Sequence, residues 1–241
     1  MSIISEKLVQ IERTEDITIL YACDAGSRAL GYNASGSDYD VRFVYVHRPE
    51  WYLSVFAQKE VVDHSVDLME FHGWDIRKAL KLLKKSNPSL LEWLASPIVY
   101  KEKEEVKQIR TLGKYCFSSK TLLLHYIKMG KTNLKAFTDR GDHKLLLYSL
   151  KSVLYSHWIR EHHSLPEDTL HHLVNVSSMD ERLKVECLAL LDRKTLLNET
   201  LMHSFLVKEF EMLEKVPNSI EKQPTVNDSL VDHVFRYILN K

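Results

Sequence analysis

Ile17-Thr-Ile-Leu-Tyr-Ala22, then Gly26-Ser27, then, after ten intervening residues, Asp38-Tyr39-Asp40, running on into Val41-Arg-Phe-Val-Tyr-Val46: this stretch decides the fold. Its two apolar runs are short and rich in β-branched and aromatic residues, which predicts a strand on either side of the motif. Strand side chains alternate with a period of two, so Asp38 and Asp40 are expected on one face and Tyr39 on the other. Two carboxylates on one face, beside a small Gly-Ser turn, can hold a divalent cation against a phosphate chain. Between the two halves, residues 27–32 suit a helical turn, and Gly31, Asn33, Ser35 and Gly36 suit a flexible bend.

Upstream, Ile4, Leu8 and Ile11 recur at helical spacing and predict a short amphipathic helix over 3–14. Downstream, Pro49 ends the second strand because it brings no ladder donor, and residues 51–56 read equally as a short helix or an irregular apolar segment. Further strands are expected at 61–62 and 66–71, the second carrying Asp67 and Glu70. From Trp74 the period changes. Ile76, Ala79, Leu80 and Leu83 share one helix face, while Lys78, Lys81, Lys84 and Lys85 fall mostly elsewhere and suit an ordinary solvated face or, as the alternative, a phosphate or RNA contact. Asn87 is a good N-cap and Pro88 suits the first position of a following helix. Beyond about residue 102 the pattern is helical throughout, with periodic stretches at 102–112, 118–129, 142–161, 179–193 and 196–214 and a last helix at 225–237. The chain is therefore expected to be α+β: a small mixed sheet with helices over 1–105, then an all-helical part over 106–241.

The bulk properties narrow the function classes. Of 241 residues, 44% are hydrophobic and 27% charged, as in an ordinary soluble globular protein. Basic and acidic residues balance at 33 each, so no global field advertises nucleic acid, and any such role needs a local patch. The N-terminal residues lack the basic and long apolar regions of a signal peptide, and no apolar run approaches the ~18 residues of a membrane span. Cys23, Cys116 and Cys187 are odd in number and far apart, which suits free thiols in a reducing cytosol. Cys23 precedes the Gly-Ser turn but has no base arranged for it in the sequence. His162-His163 and His171-His172 have no cysteine or acid at zinc spacing and read as structural or surface residues.

Gly26-Ser27 with Asp38 and Asp40 resembles the signature of the polymerase-β-like nucleotidyltransferase superfamily, a Gly-Ser or Gly-Gly pair followed after roughly ten residues by Asp-x-Asp or Asp-x-Glu in a hydrophobic strand. The longer strings Gly26-Ser-Arg-Ala-Leu-Gly31 and Ser37-Asp-Tyr-Asp-Val-Arg42, with Gly73-Trp-Asp-Ile-Arg-Lys-Ala-Leu80 and Lys85-Ser-Asn-Pro-Ser-Leu-Leu-Glu-Trp-Leu94, are similar to the branch of predicted nucleotidyltransferases linked to RNA-repair pathways. The resemblance implies transfer of a nucleoside monophosphate from a nucleoside triphosphate to an acceptor hydroxyl, with pyrophosphate released. It implies that Asp38 and Asp40 anchor one or two Mg²⁺ ions, for which Mn²⁺ can substitute. Backbone amides around Gly26 and the Ser27 hydroxyl would cradle phosphate oxygens, and Arg28 either adds a positive contact or points to solvent.

The superfamily carries a third carboxylate on a neighbouring strand, and the candidates here are Glu70, Asp67 and Asp75. Glu70 is the choice the resemblance favours, completing a catalytic and metal set of Asp38, Asp40 and Glu70. Asp67 would face the other way, and Asp75 suits the cap of the helix beginning at Ile76. In the helical half the branch places basic and aromatic residues against the nucleotide. Lys144, Tyr148 and Lys151 share a helix face and suit that role, and they suit an ordinary core-edge stripe equally. Lys151 and His157 stand where that branch has arginine. The acceptor is open between RNA, a small alcohol and a protein hydroxyl. The alternative function is a nucleotide-binding sensor module of the same fold with weak or no catalysis, and a less favoured one is an interaction protein built around the helical half.

Overall fold

The two apolar runs around the Gly-Ser turn pair with each other. The computed structural model describes residues 3–33, 36–194, 198–220 and 226–241. Strand β1 (Thr18–Asp24) lies antiparallel to β2 (Tyr39–Val46), with Ala22 opposite Phe43 and Asp24 opposite Val41. The sheet order is β3-β4-β2-β1-β5, where β3 is Val61–Val66, β4 is Met69–Asp75 and β5 is Val99–Glu102. Strands β2 and β4 run parallel, in register from Tyr39 opposite Met69 to Tyr45 opposite Asp75, and the other pairings are antiparallel. The architecture is α+β, as the sequence implies.

One sheet face is the core. Helix α1 (Ile3–Glu15) buries Ile4, Leu8 and Ile11 in a cluster with Ile19, Phe43 and Phe71. Each such side chain taken fully out of water stabilises by on the order of 1.5–3 kcal/mol, so this face is committed to packing. The opposite face carries Asp40, Arg42, Glu70, His72 and Trp74. Helices α2 (Ser27–Leu30) and α3 (Pro49–Tyr52) are single turns, and α3 resolves the ambiguous segment at 51–56 into a short helix whose continuation is irregular. On α4 (Ile76–Lys84), Asp75 is the N-cap, accepting from the Arg77 amide at 2.8 Å. On α5 (Pro88–Leu94), Asn87 caps through the Leu90 amide at 3.1 Å. Trp93 of α5 stacks on Trp74 of β4 at 3.9 Å, and its carbonyl accepts from the Tyr21 hydroxyl at 2.7 Å.

Three expectations are corrected. Residues 66–71 are not one strand: Asp67 takes φ +51° in a two-residue turn between β3 and β4. Aspartate tolerates that conformation, and a two-residue hairpin loop demands it. Residues 99–102 form the edge strand β5, so the helical region begins later, with α6 (Val106–Cys116). Four residues paired along one side give too little alternation to be read from sequence, whereas Arg110 holds Glu102 in a fork at 3.0 Å through both Nε and Nη2. Asp38 stands one residue before β2 rather than on it.

The chain forms two compact units, one of Met1–Ala29, Asn33–Phe117 and Pro224–Lys241, the other of Leu30–Tyr32 and Ser118–Gln223. The division expected at residue 105 therefore differs from the observed one. In the first unit, α6 packs on α4, and the C-terminal helix α12 (Asp228–Leu239) packs on both. Phe235 meets the Tyr52 ring edge-on at 5.1 Å, and Lys84 pairs with Asp228. An amphipathic stripe says that a helix needs a core, not which one.

The second unit is helical: α7 (Ser119–Arg140), α8 (His143–His162), α9 (Leu170–Val176), α10 (Glu181–Leu191), α11 (Glu199–Leu213) and a 3₁₀ turn at Val216–Ser219. Gly141 closes α7 in the left-handed region at φ +68°, and Asp142 caps α8, so the two longest helices form a hairpin. Leu196 and Thr225, the expected starts of two helices, and Ser35 of the expected bend lie outside the described residues. No helix among the described residues is long and apolar enough to cross a membrane.

Candidate active site

In-register pairing of β2 with β4 sets Asp40 directly beside Glu70 and Arg42 beside His72. Residues two apart on a strand share a face, so Asp40 and Arg42 belong to the same side. There the Arg42 guanidinium bridges both acids: Nη2 lies 2.8 Å from Asp40 Oδ1 and 3.5 Å from Glu70 Oε2. Asp40 is half-buried, and burial holds its pKa above the usual carboxylate range. Arg42 opposes that rise, while Asp24, Glu70 and Asp38 add to it. Four carboxylates thus share one electrostatic neighbourhood.

Of the three candidates for the third acid, the structure brings Glu70 to Asp40. Asp67 sits in the hairpin turn. Asp75 is fully buried as a cap, accepting also from the Tyr52 hydroxyl at 2.6 Å, and burial raises its pKa. Asp38 is exposed at the entry to β2. Among the described residues no group of three or more His, Cys, Asp or Glu side chains is arranged to hold a metal ion by itself. That covers the paired histidines as well, where His171 instead holds Asp192 at 2.9 Å and His162 stacks on Trp158.

The Gly-Ser turn is packed against the acid strand. A Cβ on Gly26 would lie 2.0 Å from Asp40 Oδ2, so only glycine lets the turn approach that carboxylate. The Ala25 amide donates to the Asp40 carbonyl at 2.9 Å and extends the β1–β2 pairing into the turn. The Gly26 amide, expected to cradle phosphate, donates instead to Asp24 Oδ1 at 2.9 Å. Ser27 follows as the first residue of α2, half-buried. Arg28 braces the loop rather than pointing to solvent: Nη2 donates to the Ser37 carbonyl at 2.7 Å and the guanidinium lies 3.9 Å over the Tyr39 ring.

Asp24, Tyr100 and Arg42 belong to the surroundings of the candidate site, although the sequence motif does not single them out. Asp24 is fully buried, and its Oδ2 accepts from the Tyr100 hydroxyl at 3.1 Å, so it ties the turn to β5. A carboxylate two residues before a glycine was a legible turn signal, and Arg42 two residues after Asp40 was legible from strand period. Tyr100 had no signal, because its strand had none. Cys23 is inert as a nucleophile, since burial pushes its thiol up to about 12.

The helical stripe behaves differently. On α8, Lys144 is exposed, Tyr148 half-buried and Lys151 buried at 5% exposure, its ammonium 5.0 Å from the Tyr155 ring centroid. The stripe descends into the core of its own unit, so Lys151 offers no charge to solvent, and the three do not form one exposed wall. Tyr126 is fully buried against Tyr155, and His157 Nε2 holds Glu209 at 2.6 Å.

A family profile described as RlaP, RNA repair pathway DNA polymerase beta family, matches residues 1–237. The Bacillus subtilis (strain 168) protein described as uncharacterized protein YcgL is 34% identical over 248 residues, spanning 98% of this chain and 94% of that protein. The crystal structure of a nucleotidyltransferase-like protein from Exiguobacterium sibiricum 255-15 aligns with a TM-score of 0.35 at 15% identity, over 90% of this chain and 75% of that one. That likeness is too distant to bear on the site.

Proposed function

The chain belongs to the RNA repair pathway DNA polymerase beta family, and on that premise we propose that it is a nucleotidyltransferase moving a nucleoside monophosphate from a triphosphate to an acceptor hydroxyl. The observation that carries the reading is the pairing of Asp40 with Glu70 across parallel strands, with the glycine turn pressed against Asp40. Mg²⁺ or Mn²⁺ fits this donor set: the ligands are hard carboxylate oxygens, and Mg²⁺ usually takes only one or two carboxylates beside water and substrate phosphate. Asp40, with Asp38 at the strand entry and Glu70 alongside, would hold one or two ions. Bound there, such an ion neutralises triphosphate charge and lowers the pKa of the acceptor hydroxyl. Asp24 fixes the turn by engaging the Gly26 amide, which leaves the Ser27 hydroxyl as the turn's candidate phosphate contact. Arg28, held on Tyr39 and Ser37, keeps positive charge beside it. Within the helical unit, Lys144 is an exposed cation of α8 with the half-buried Tyr148 one turn on, and the two remain proposed nucleotide contacts.

RNA is the acceptor class the family description favours over a small alcohol or a protein hydroxyl. Three free, buried cysteines suit a reducing cytosol. The test is incubation with the four labelled triphosphates, Mg²⁺ and either RNA, protein or small alcohols. Label transfer with pyrophosphate release, lost in Asp40→Asn, is the expected result; equal turnover in that variant overturns the reading. One observation favours the binding-module alternative: Glu70 is 62% exposed, and no three acids converge among the described residues. Calorimetric binding of Mg-triphosphate without turnover on any acceptor class would select it.

A further inference from the structure

Asp40 Oδ1 is held by Arg42 at 2.8 Å, and the other oxygen, Oδ2, is pressed over Gly26, where a Cβ would stand 2.0 Å away. A divalent cation approaching Asp40 therefore meets a carboxylate with one oxygen hemmed in by backbone and the other occupied by a guanidinium. The same Nη2 reaches Glu70 Oε2 at 3.5 Å, across the strand boundary. One guanidinium nitrogen carries two N–H donors in a fixed plane, and here Nη2 bonds Asp40 and pairs with Glu70 on the adjacent strand. Without it, two neighbouring carboxylates on one face would repel each other. Arg42 thus stands where a bound cation's charge is needed, and its side chain is only 20% exposed, so solvent screens the arrangement little on its side.

Resting on the proposed metal-dependent reading, we infer that Arg42 is the resident counter-cation of the Asp40–Glu70 pair, a positioning residue whose guanidinium must leave Asp40 Oδ1 when a divalent cation binds. The two cations compete for one carboxylate oxygen, so Arg42 keeps the acids aligned in the metal-free protein and weakens metal binding. A merely structural arginine has the opposite signature, since its removal disorders the acids and loosens metal.

The test is titration of the full chain with Mn²⁺ alone, read by electron paramagnetic resonance, in wild type, Arg42→Gln and Arg42→Lys. The lysine variant keeps the charge but not the planar guanidinium that sets Nη2 on Asp40 Oδ1, which separates competition for that oxygen from a change in net charge. Both variants are expected to bind Mn²⁺ roughly threefold to tenfold tighter than wild type. Detectable binding in the variants with none in wild type also supports competition. Equal or weaker binding in Arg42→Lys, with wild type binding normally, overturns the inference and leaves the metal reading standing. No Mn²⁺ bound by any of the three proteins overturns both. Should the glutamine variant misfold, the Arg42 side-chain N–H resonances of wild type decide: added Mg²⁺ shifts them if the guanidinium is displaced, and unmoved resonances at saturating Mg²⁺ overturn the inference.

Discussion

The acid row of the sheet and the basic stripe of α8 are both periodic in the sequence, yet the structure keeps only the first together on one face. On β2 and β4 the chemistry repeats every second residue, and each strand has one face committed to the α1 core. Asp40, Arg42 and Glu70 are left together on the other face. On α8, Lys144, Tyr148 and Lys151 follow the same helical row, but Ser149 bonds the Gly130 carbonyl at 3.0 Å and draws the helix tightly onto α7. A Cβ on Gly130 would lie 2.2 Å from Phe210 and 2.7 Å from Ser152, so α7, α8 and α11 meet closely there. The row sinks, and Lys151 is buried with it. A strand face stays on one side of its sheet, whereas a helical row can pass from solvent to core within two turns.

Substitutions sharpen that contrast. The largest effect is expected from Asp40→Asn, which should cut pyrophosphate release by at least roughly a hundredfold while circular dichroism and melting stay close to wild type. Gly26→Ala comes next. Its Cβ displaces the Asp40 carboxylate, so activity should fall about tenfold and stability by about 1–3 kcal/mol, measured by denaturant titration. Lys151→Ala should reverse the balance, lowering stability by roughly 1–3 kcal/mol through lost packing on Tyr155, with the KM for triphosphate unchanged once the protein is folded. A raised KM in a stable Lys151→Ala protein would break the comparison. Lys144→Ala should alter stability by less than about 0.5 kcal/mol, so any rise in its KM for triphosphate reports nucleotide contact directly.

The smallest effect concerns the thiols. Burial raises Cys116 and pushes Cys23 and Cys187 up to about 12. Iodoacetamide at pH 8 should leave all three unlabelled in the folded chain, as read by mass spectrometry. The folded state keeps protons that the unfolded state releases. The stability that Cys23 and Cys187 contribute is therefore full below the ordinary thiol value of 9.0 and is lost as pH rises from there through about 12. Alkaline melting curves check the sign.

Much of the site was legible. Period two paired Asp40 with Asp38, which in fact precedes the strand, and the same rule applied to Arg42 would have put the guanidinium beside Asp40. The capping roles of Asp75 and Asn87 were readable because each precedes an apolar helical row and its side chain needs only its own backbone two or three residues on. What was not readable depends on partners distant in sequence. Tyr100 reaches Asp24 from an edge strand of four residues, and β5 exists only because β1 offers it a ladder.

The sequence by itself determined the strand–turn–strand frame, the caps and the candidate acids, because each follows from local periodicity or from a bond to nearby backbone. The tertiary structure alone decided which acid stands beside Asp40, that Arg42 also reaches Glu70, that Tyr100 ties Asp24 to β5, and that Lys151 is buried. Those outcomes rest on strand register and helix packing, which join residues tens of positions apart, and such pairings leave no periodic trace in the chain.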